Sequence, residues 1–408
     1  MISLKIAWRN IWRSKRRSVL TILAVAFSCT ILVFFLSLQR SSWEASVNAN
    51  ASIFQGHLQV QRVGYNEFPD MEKLISAAAA LEAQLGSLSG VRAAGLRAFG
   101  FAVVSSAERS YGAQIVGVEP QREMLLSTIP GLIKSGGYFT PGPQHQAVIG
   151  ASLAANLKVA VGDELTILGQ TAQGSVAAAI LKIEGIFDTG VGELDRNLIQ
   201  IGLADFQELF EMPDQAHALV INLNSAAALP EVEQRIKTIL GAERDLTVLN
   251  WEQLSPGLKQ AIELDMSFGW LFYTSLVLIG TFSVLNTFLM SILERTREYG
   301  LLMALGLTPL RLLSTVMLES ALLLGCGLLA GISCGAALVI YYGIKGFQVP
   351  GSEEIMQTFN LSTAVHPSLS VAALTLGPLM ILFFGLAAAL LPALRIRKIS
   401  PVEALRAI

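Results

Sequence analysis

Residues 19–38 read VLTILAVAFSCTILVFFLSL, twenty residues without a charge. Crossing ~30 Å of hydrocarbon at ~1.5 Å per helical residue takes about 20 apolar residues, so this stretch can span a bilayer. A cleaved signal segment is the competing reading, but signal cores run only to about 7–15 residues. Ala26-Phe27-Ser28-Cys29 resembles a lipoprotein cleavage site only faintly, lacking the usual leucine and lying mid-stretch. Three further stretches qualify. Met266 to Leu293 and Ser368 to Leu394 are uncharged, and Leu312 to Ile344 is broken only by Glu319. The whole chain is 52% hydrophobic and 15% charged, against about 25% charged in soluble domains. The expected fold class is therefore a membrane α-helical protein with four transmembrane helices.

Orientation follows from the basic residues beside the spans. Residues 1–17 hold Lys5, Arg9, Arg13, Lys15, Arg16 and Arg17 and no acid. Arg295, Arg297 and Arg311 lie between spans two and three, and Arg395, Arg397, Lys398 and Arg406 follow span four. Only Lys345 stands against Glu353 and Glu354 between spans three and four. Both termini are thus expected on the cytoplasmic side of the membrane, with residues 40–265 and 345–367 outside. Residues 40–265 hold 15 Lys and Arg against 25 Asp and Glu, a net −10, so the near-neutral total hides an acidic outside and a basic inside. No basic nucleic-acid footprint is present.

The expected divisions are a cytoplasmic amphipathic helix over 1–17, spans at 18–39, 266–293, 312–344 and 368–394, and an outer domain with its stalk over 40–265. A cytoplasmic loop over 294–311, a short outer loop over 345–367 and a tail over 395–408 complete the chain. In residues 2–17, Lys5, Arg9, Arg13 and Arg16 share one helical face and Leu4, Trp8, Ile11 and Trp12 another, a pattern suited to the headgroup boundary. The outer domain reads as α+β, inserted between helices one and two. His57-Leu58-Gln59-Val60-Gln61 alternates like a strand, residues 71–86 form an Ala-rich helix and residues 230–240 another. Trp251-Glu252-Gln253-Leu254 opens a stalk over 251–265, with Pro256 in its first turn or kinking it. In the tail, Ser400 and Pro401 predict the start of a short terminal helix.

Between spans two and three the chain reads ERTREYGLLMALGLTP from Glu294 to Pro309. A plain connector needs only a few polar residues. Here Glu294 and Glu298 are one turn apart, as are Leu301 and Leu305. Gly306 can end a helix and Pro309 discourages its continuation. This predicts a short amphipathic helix that a motor protein could push.

Other features point away from chemistry. The dipeptide Gly-Lys does not occur, so no phosphate-cradling loop of the Walker type can be built. Cys29, Cys326 and Cys334 all fall in apolar runs and define neither a disulfide framework nor a zinc pattern. His57, His145, His217 and His366 are scattered without metal-ligand spacing. Glu319, the one charge well inside a span, is a candidate intramembrane polar site. Its place about two turns from the cytoplasmic end favours a structural or coupling role over proton relay. Gly327, Gly331 and Gly335 recur every four residues on span three and permit close helix contact, within the chain or across a subunit interface.

The segment Glu294, Arg295, Glu298, Gly300, Ala304, Leu305 and Gly306 resembles the coupling region of MacB/FtsX-type ABC permeases, the mechanotransmission or type VII class. Leu4-Lys5-Ile6-Ala7-Trp8-Arg9-Asn10 with Arg13 and Arg17, Ser283-Val284-Leu285-Asn286-Thr287, and Pro392-Ala393 with Pro401-Val402-Glu403-Ala404-Leu405-Arg406 resemble three further family stretches. Ala147-Val148-Ile149-Gly150 followed by Gly162-Asp163-Glu164-Leu165 resembles the MacB-like periplasmic core. Gly185 to Gly190 with Glu193-Leu194-Asp195 is more like the lipoprotein-releasing LolC/LolE branch. The resemblance implies a second permease copy, as homo- or heterodimer, above a cytoplasmic ABC ATPase dimer. This chain would be no enzyme and carry no cofactor, since ATP would bind the partner. Motion, not substrate through a central channel, would cross the bilayer. Glu294, Arg295 and Glu298 would make polar contacts to the ATPase, Tyr299, Leu302 and Leu305 would fill its groove, and Gly300 and Gly306 would allow close approach or the turn. The outer partner would be a lipoprotein or a MacB-like adaptor. In the rival reading the chain is an FtsX-like regulator of a cell-wall hydrolase, for which an outer domain of this length is large.

Overall fold

The computed structural model describes residues 2–140, 145–241, 245–348 and 364–395. The terminal helix expected from Ser400 and Pro401, and the acids Glu353 and Glu354, lie outside the described residues. Two compact units emerge. One draws on residues 2–43, 262–348 and 364–395, the other on 44–261.

In chain order the elements begin with α1 (Ile2–Ile11) and α2 (Lys15–Asn50). The sheet-rich part holds β1 (Leu58–Arg62), β2 (Ile75–Ser76), α3 (Ala78–Gly86), β3 (Val91–Ser105), β4 (Ser110–Val118), α4 (Pro120–Leu126), β5 (Ile133–Gly136), β6 (Gln146–Gly150) and α5 (Ala151–Leu157). It continues with β7 (Glu164–Gln170), β8 (Val176–Phe187), α6 (Gly192–Asn197), β9 (Leu198–Gly202), α7 (Leu203–Leu209), β10 (Gln215–Ala216), β11 (Ala218–Leu223), α8 (Leu229–Leu240), β12 (Leu246–Asn250) and α9 (Trp251–Leu254). The chain ends with α10 (Pro256–Glu294), α11 (Thr296–Ala304), α12 (Pro309–Lys345), the strand pair β13 (Phe347–Gln348) and β14 (Ala364–Val365), and α13 (Val371–Arg395).

Among the described residues, four helices, within 7–55, 256–294, 309–345 and 371–394, are long and apolar enough to cross a membrane. They contain the four expected spans, save that α13 begins at Val371, three residues after Ser368. The N-terminal helix is interrupted. It ends at Ile11, tightens into a 3₁₀ turn at Trp12–Ser14 and resumes as α2, and the Ser18 hydroxyl donates to the Ile11 carbonyl at 2.6 Å across the break. Trp8 and Trp12 are exposed and meet edge to face with centroids 6.0 Å apart, while Ala7 and Ile11 are buried.

The glycine row of α12 meets α2 of the same chain. A Cβ on Gly327 would stand 2.7 Å from Val25 Cγ1, on Gly331 2.5 Å from Cys29 Cβ, and on Gly335 2.9 Å from Val33 Cβ. Of the two readings open for this row, packing within the chain is the one it adopts. The Thr30 hydroxyl donates to the Gly331 carbonyl at 3.2 Å, a polar tie that close backbone approach allows.

The other unit is built on one branched sheet. Strands β12, β1, β11 and β3 lie side by side, with every neighbouring pair antiparallel. The fifteen-residue β3 then continues into a closed ring, β3-β4-β9-β6-β8-β7, in which β7 pairs back onto β3 through Ala102↔Gly169 and Ser105↔Thr166. Closure removes strand edges within the ring. Its interior is filled by small and branched side chains, among them Ala102, Ala113, Ile115, Ile149, Ile167 and Ile199, with the stacked rings of Phe206 and Phe210 in the same cluster. Helices α3 and α8 contribute Leu81, Leu85, Val232 and Ile236 to the core over the open sheet.

The strand expected at 57–61 is present as β1, flanked on both sides, with Gln59 and Gln61 buried and each amide donating to a partner, Gln61 to Gln59 at 2.7 Å and Gln59 to the Gln55 carbonyl at 2.6 Å. Two local readings are corrected. The helix expected over 71–86 starts only at Ala78, because Ile75 and Ser76 pair with Ala216 and Gln215. The stalk over 251–265 is two pieces. Asn250 caps α9 in a reciprocal capping box with Gln253, and α10 begins anew at Pro256, where a missing N–H does no harm. The chain enters β1 through Gly56 at φ +76, and a Cβ there would lie 2.5 Å from Val220 Cγ1.

Two buried polar groups anchor this unit. Arg97 of β3 is fully buried and pairs with Glu123 of α4 at 2.8 Å, while Gln200 donates to the same carboxylate at 3.1 Å. Arg97 also donates to the Phe54 carbonyl and lies over the Phe54 ring, 4.3 Å from its centroid. His217 is fully buried between Tyr65 and Phe99, and its Nδ1 accepts the Phe99 amide at 3.0 Å. Burial lowers its pKa from 6.5 to about 4, only partly offset by the backbone of Met71 and the charge of Asp70. The unfolded chain takes up this proton near 6.5 and the folded one near 4. Stability from this residue is therefore complete above pH 6.5 and lost as pH falls toward 4, on the order of 3 kcal/mol in all. Denaturant unfolding at pH 7.5 and pH 5 should show this loss, and His217→Phe should flatten the dependence; an unchanged slope in the variant would count against it.

Candidate functional site

The site is the elbow between α10 and α11. Helix α10 ends at Glu294 and α11 starts at Thr296, so Arg295 alone separates them, with φ −101 and ψ 7. Its carbonyl accepts the Tyr299 amide at 3.0 Å, starting the first turn of α11. At the other end the Gly306 amide bonds the Met303 carbonyl and the Leu307 amide the Leu302 carbonyl, with Gly306 at φ +92. That left-handed glycine closes the helix, and α12 follows from Pro309, so a short helix is present, but over 296–304 and not 294–306, with Glu294 on α10.

The three polar residues expected to face a partner are engaged inside the chain. Glu294 takes a two-pronged contact from Arg17 at 2.7 and 2.8 Å, and Glu298 takes Arg13 at 2.7 Å. Arg295 turns inward. Its guanidinium reaches Glu319 Oε2 at 3.5 Å and the Asn10 carbonyl at 3.2 Å, while the Asn10 side-chain amide donates to Glu319 Oε1. Glu319 is thus held by two hydrogen-bond donors, which suits the structural or coupling reading better than proton relay.

The apolar residues divide. Tyr299 and Gly300 are buried, and burial next to the Glu319 charge pushes the Tyr299 phenol up to about 12. This corrects the expectation that Tyr299 fills a partner's groove, since its ring already fills a place in the helix core. Leu301, Leu302 and Leu305 are exposed, Leu305 at 77%, and Gly306 is exposed beside them. Asn10, Arg13 and Arg17 are the partners that sequence reasoning missed. The signal was present: Arg13 and Arg17 are spaced by four, as are Glu294 and Glu298.

The four histidines stand apart. His57 bonds Asn48 and Asn222, and His145 lies 3.5 Å from Asp205. Among the described residues no group of three or more His, Cys, Asp and Glu side chains could hold a metal ion.

Among the described residues, four long apolar helices, a large mixed domain inserted after the first, and a short helix with a bare leucine face between the second and third describe a membrane-embedded permease. Two family models fit this division: the MacB-like periplasmic core domain matches residues 18–239, and the FtsX-like permease C-terminal domain matches residues 270–401. The chain belongs to the MacB/FtsX-type family of ABC transporter permeases. Similar curated proteins include the lipoprotein-releasing system transmembrane protein LolC of Neisseria meningitidis, 24% identical over 75% of both chains. LolC of Xylella fastidiosa is 22% identical over 97% of this chain and 96% of its own. The macrolide export ATP-binding/permease protein MacB of Hyphomonas neptunium is 25% identical over 99% of this chain but only 60% of its own length.

Proposed function

We propose that this chain is the permease subunit that carries ATP-driven motion from a separate cytoplasmic ATPase dimer to its periplasmic domain, working beside a second permease copy to release lipoproteins from a bacterial inner membrane. Both termini would lie in the cytoplasm, and nucleotide would bind only the partner. The observation that carries the reading is the division of the elbow: Glu294 at the end of α10 and Glu298 of α11 are paired within the chain, whereas Leu301 and Leu302 of α11 and Leu305 just after it are exposed. An apolar face at a helix end whose charges are already satisfied suits an apolar groove. Lipoprotein release as the output draws support from the LolC relatives, aligned over most of this chain.

Leu305→Asp tests the contact. Interface hot spots cost about 2 kcal/mol or more, so association with the cognate ATPase should weaken about thirtyfold, at ~1.4 kcal/mol per tenfold. Insertion and yield should not change, because Leu305 makes no buried contact to lose. Co-purification of the ATPase with the variant at full strength would remove the leucine face from the interface.

A further inference from the structure

We infer that Arg295 is an internal positioning residue, a pin that locks the α10–α11 elbow to α1 and α12, and not a contact to the ATPase; this rests on the coupling role proposed above. Arg295 is the one residue at which the chain leaves α10, so it is where a push on α11 could be lost by bending. Its side chain closes a triangle across three helices. The guanidinium donates to Glu319 of α12 at 3.5 Å and to the Asn10 carbonyl of α1 at 3.2 Å, and the Asn10 amide donates back to Glu319. The Arg295 and Glu319 side chains are only 12% and 7% exposed. A desolvated ion pair adds little stability over apolar side chains of the same volume, so stability alone does not account for this one. What it supplies is a fixed direction: breaking the triangle frees the elbow without emptying the core. The outer pairs Arg13–Glu298 and Arg17–Glu294 are largely exposed and are worth little individually. They tie the 3₁₀ turn that follows α1 to α11, and the start of α2 to the end of α10. With all these ties in place, a displacement of α11 moves α1, and through it the start of α2, together with the base of α12.

The test uses the full chain in lipid nanodiscs and the variant Arg295→Met/Glu319→Gln, which removes both charges and leaves an oxygen for Asn10. Without ATPase, amide exchange over residues 296–304 should speed up about tenfold or more, the sign of a locally loosened segment. With the cognate ATPase, association should stay within about threefold of wild type while ATP-driven output falls about tenfold, a split between binding and coupling that a merely structural role would not produce. Arg295→Lys keeps the charge but cannot fork to both acceptors. It should show the same split to a smaller extent, and it decides the matter if the double variant fails to fold. Wild-type exchange together with wild-type output in the variants would overturn the pin. So would loss of ATPase association with exchange unchanged, since that would make Arg295 a partner contact. If wild type itself binds no ATPase, the coupling reading fails, and the exchange measurement still decides the pin.

Discussion

Gly331→Leu should prevent the membrane unit from assembling, while Gly325→Leu on the same helix should be tolerated. At 331 the first added carbon would lie 2.5 Å from Cys29 Cβ and 2.7 Å from the Ala26 carbonyl oxygen, whereas nothing lies within 4 Å of a carbon added at 325. The Ala26 obstacle is main chain and cannot rotate away, so α12 and α2 must separate. Separation also strains the Thr30 bond to the Gly331 carbonyl and pulls Gly327 and Gly335 off Val25 and Val33. Overpacking ordinarily costs about 1–3 kcal/mol, occasionally more, and the upper end applies where backbone is the obstacle. Thermal unfolding in detergent should show a large fall or no folded species for the first variant and near-wild-type behaviour for the second. Equal melting of the two would mean that this row is not a tight helix contact.

Arg97→Met should produce the largest loss in the sheet-rich unit. Removing the guanidinium leaves Glu123 buried at 1% exposure, with Gln200 still donating to it but no countercharge. Breaking a buried pair by removing one partner costs about 3–5 kcal/mol. For a domain of this size each kcal/mol shifts the melting point by roughly 2–4 °C, so a fall of about 10 °C is expected. Arg97→Met/Glu123→Gln should recover much of it, because no uncompensated charge remains. The sheet-rich unit can be followed by exchange of the β3 amides in the intact chain. A single variant as stable as wild type would contradict the role given to this pair.

The spans were legible because twenty uncharged residues in a row have few other uses; the stretch at 19–38 needs no partner to be interpreted. The ring of strands was not legible. Its closure depends on Ala102 finding Gly169 and Gln114 finding Leu198, pairings that no local pattern encodes. Strand β1 shows the limit of alternation: Gln59 and Gln61 mark a polar face, yet that face is covered and both side-chain NH₂ groups donate within the chain. At the elbow, the spacing of Glu294 and Glu298 pointed to a helix, but not to its rotation. A short helix carrying Tyr299 on one side and Leu301 and Leu302 on the other, with Leu305 just beyond its end, allows two apolar faces. Only the neighbouring helices, through Asn10, Arg13 and Arg17, decide which one turns inward.

The same ring has a consequence for how the chain is made. Strand β4 waits for β9 at residues 198–202, and β1 has no neighbour until β11 and then β12 arrive at 218–223 and 246–250. Pairings this distant in sequence are slow to form. During synthesis β1 therefore stays an open strand edge for some 150 residues after it appears, a template on which another nascent chain could align. Premature arrest of the chain between residues 202 and 246 should accordingly leave a closed ring beside an unfinished sheet, a species more prone to association than either a shorter or a complete product.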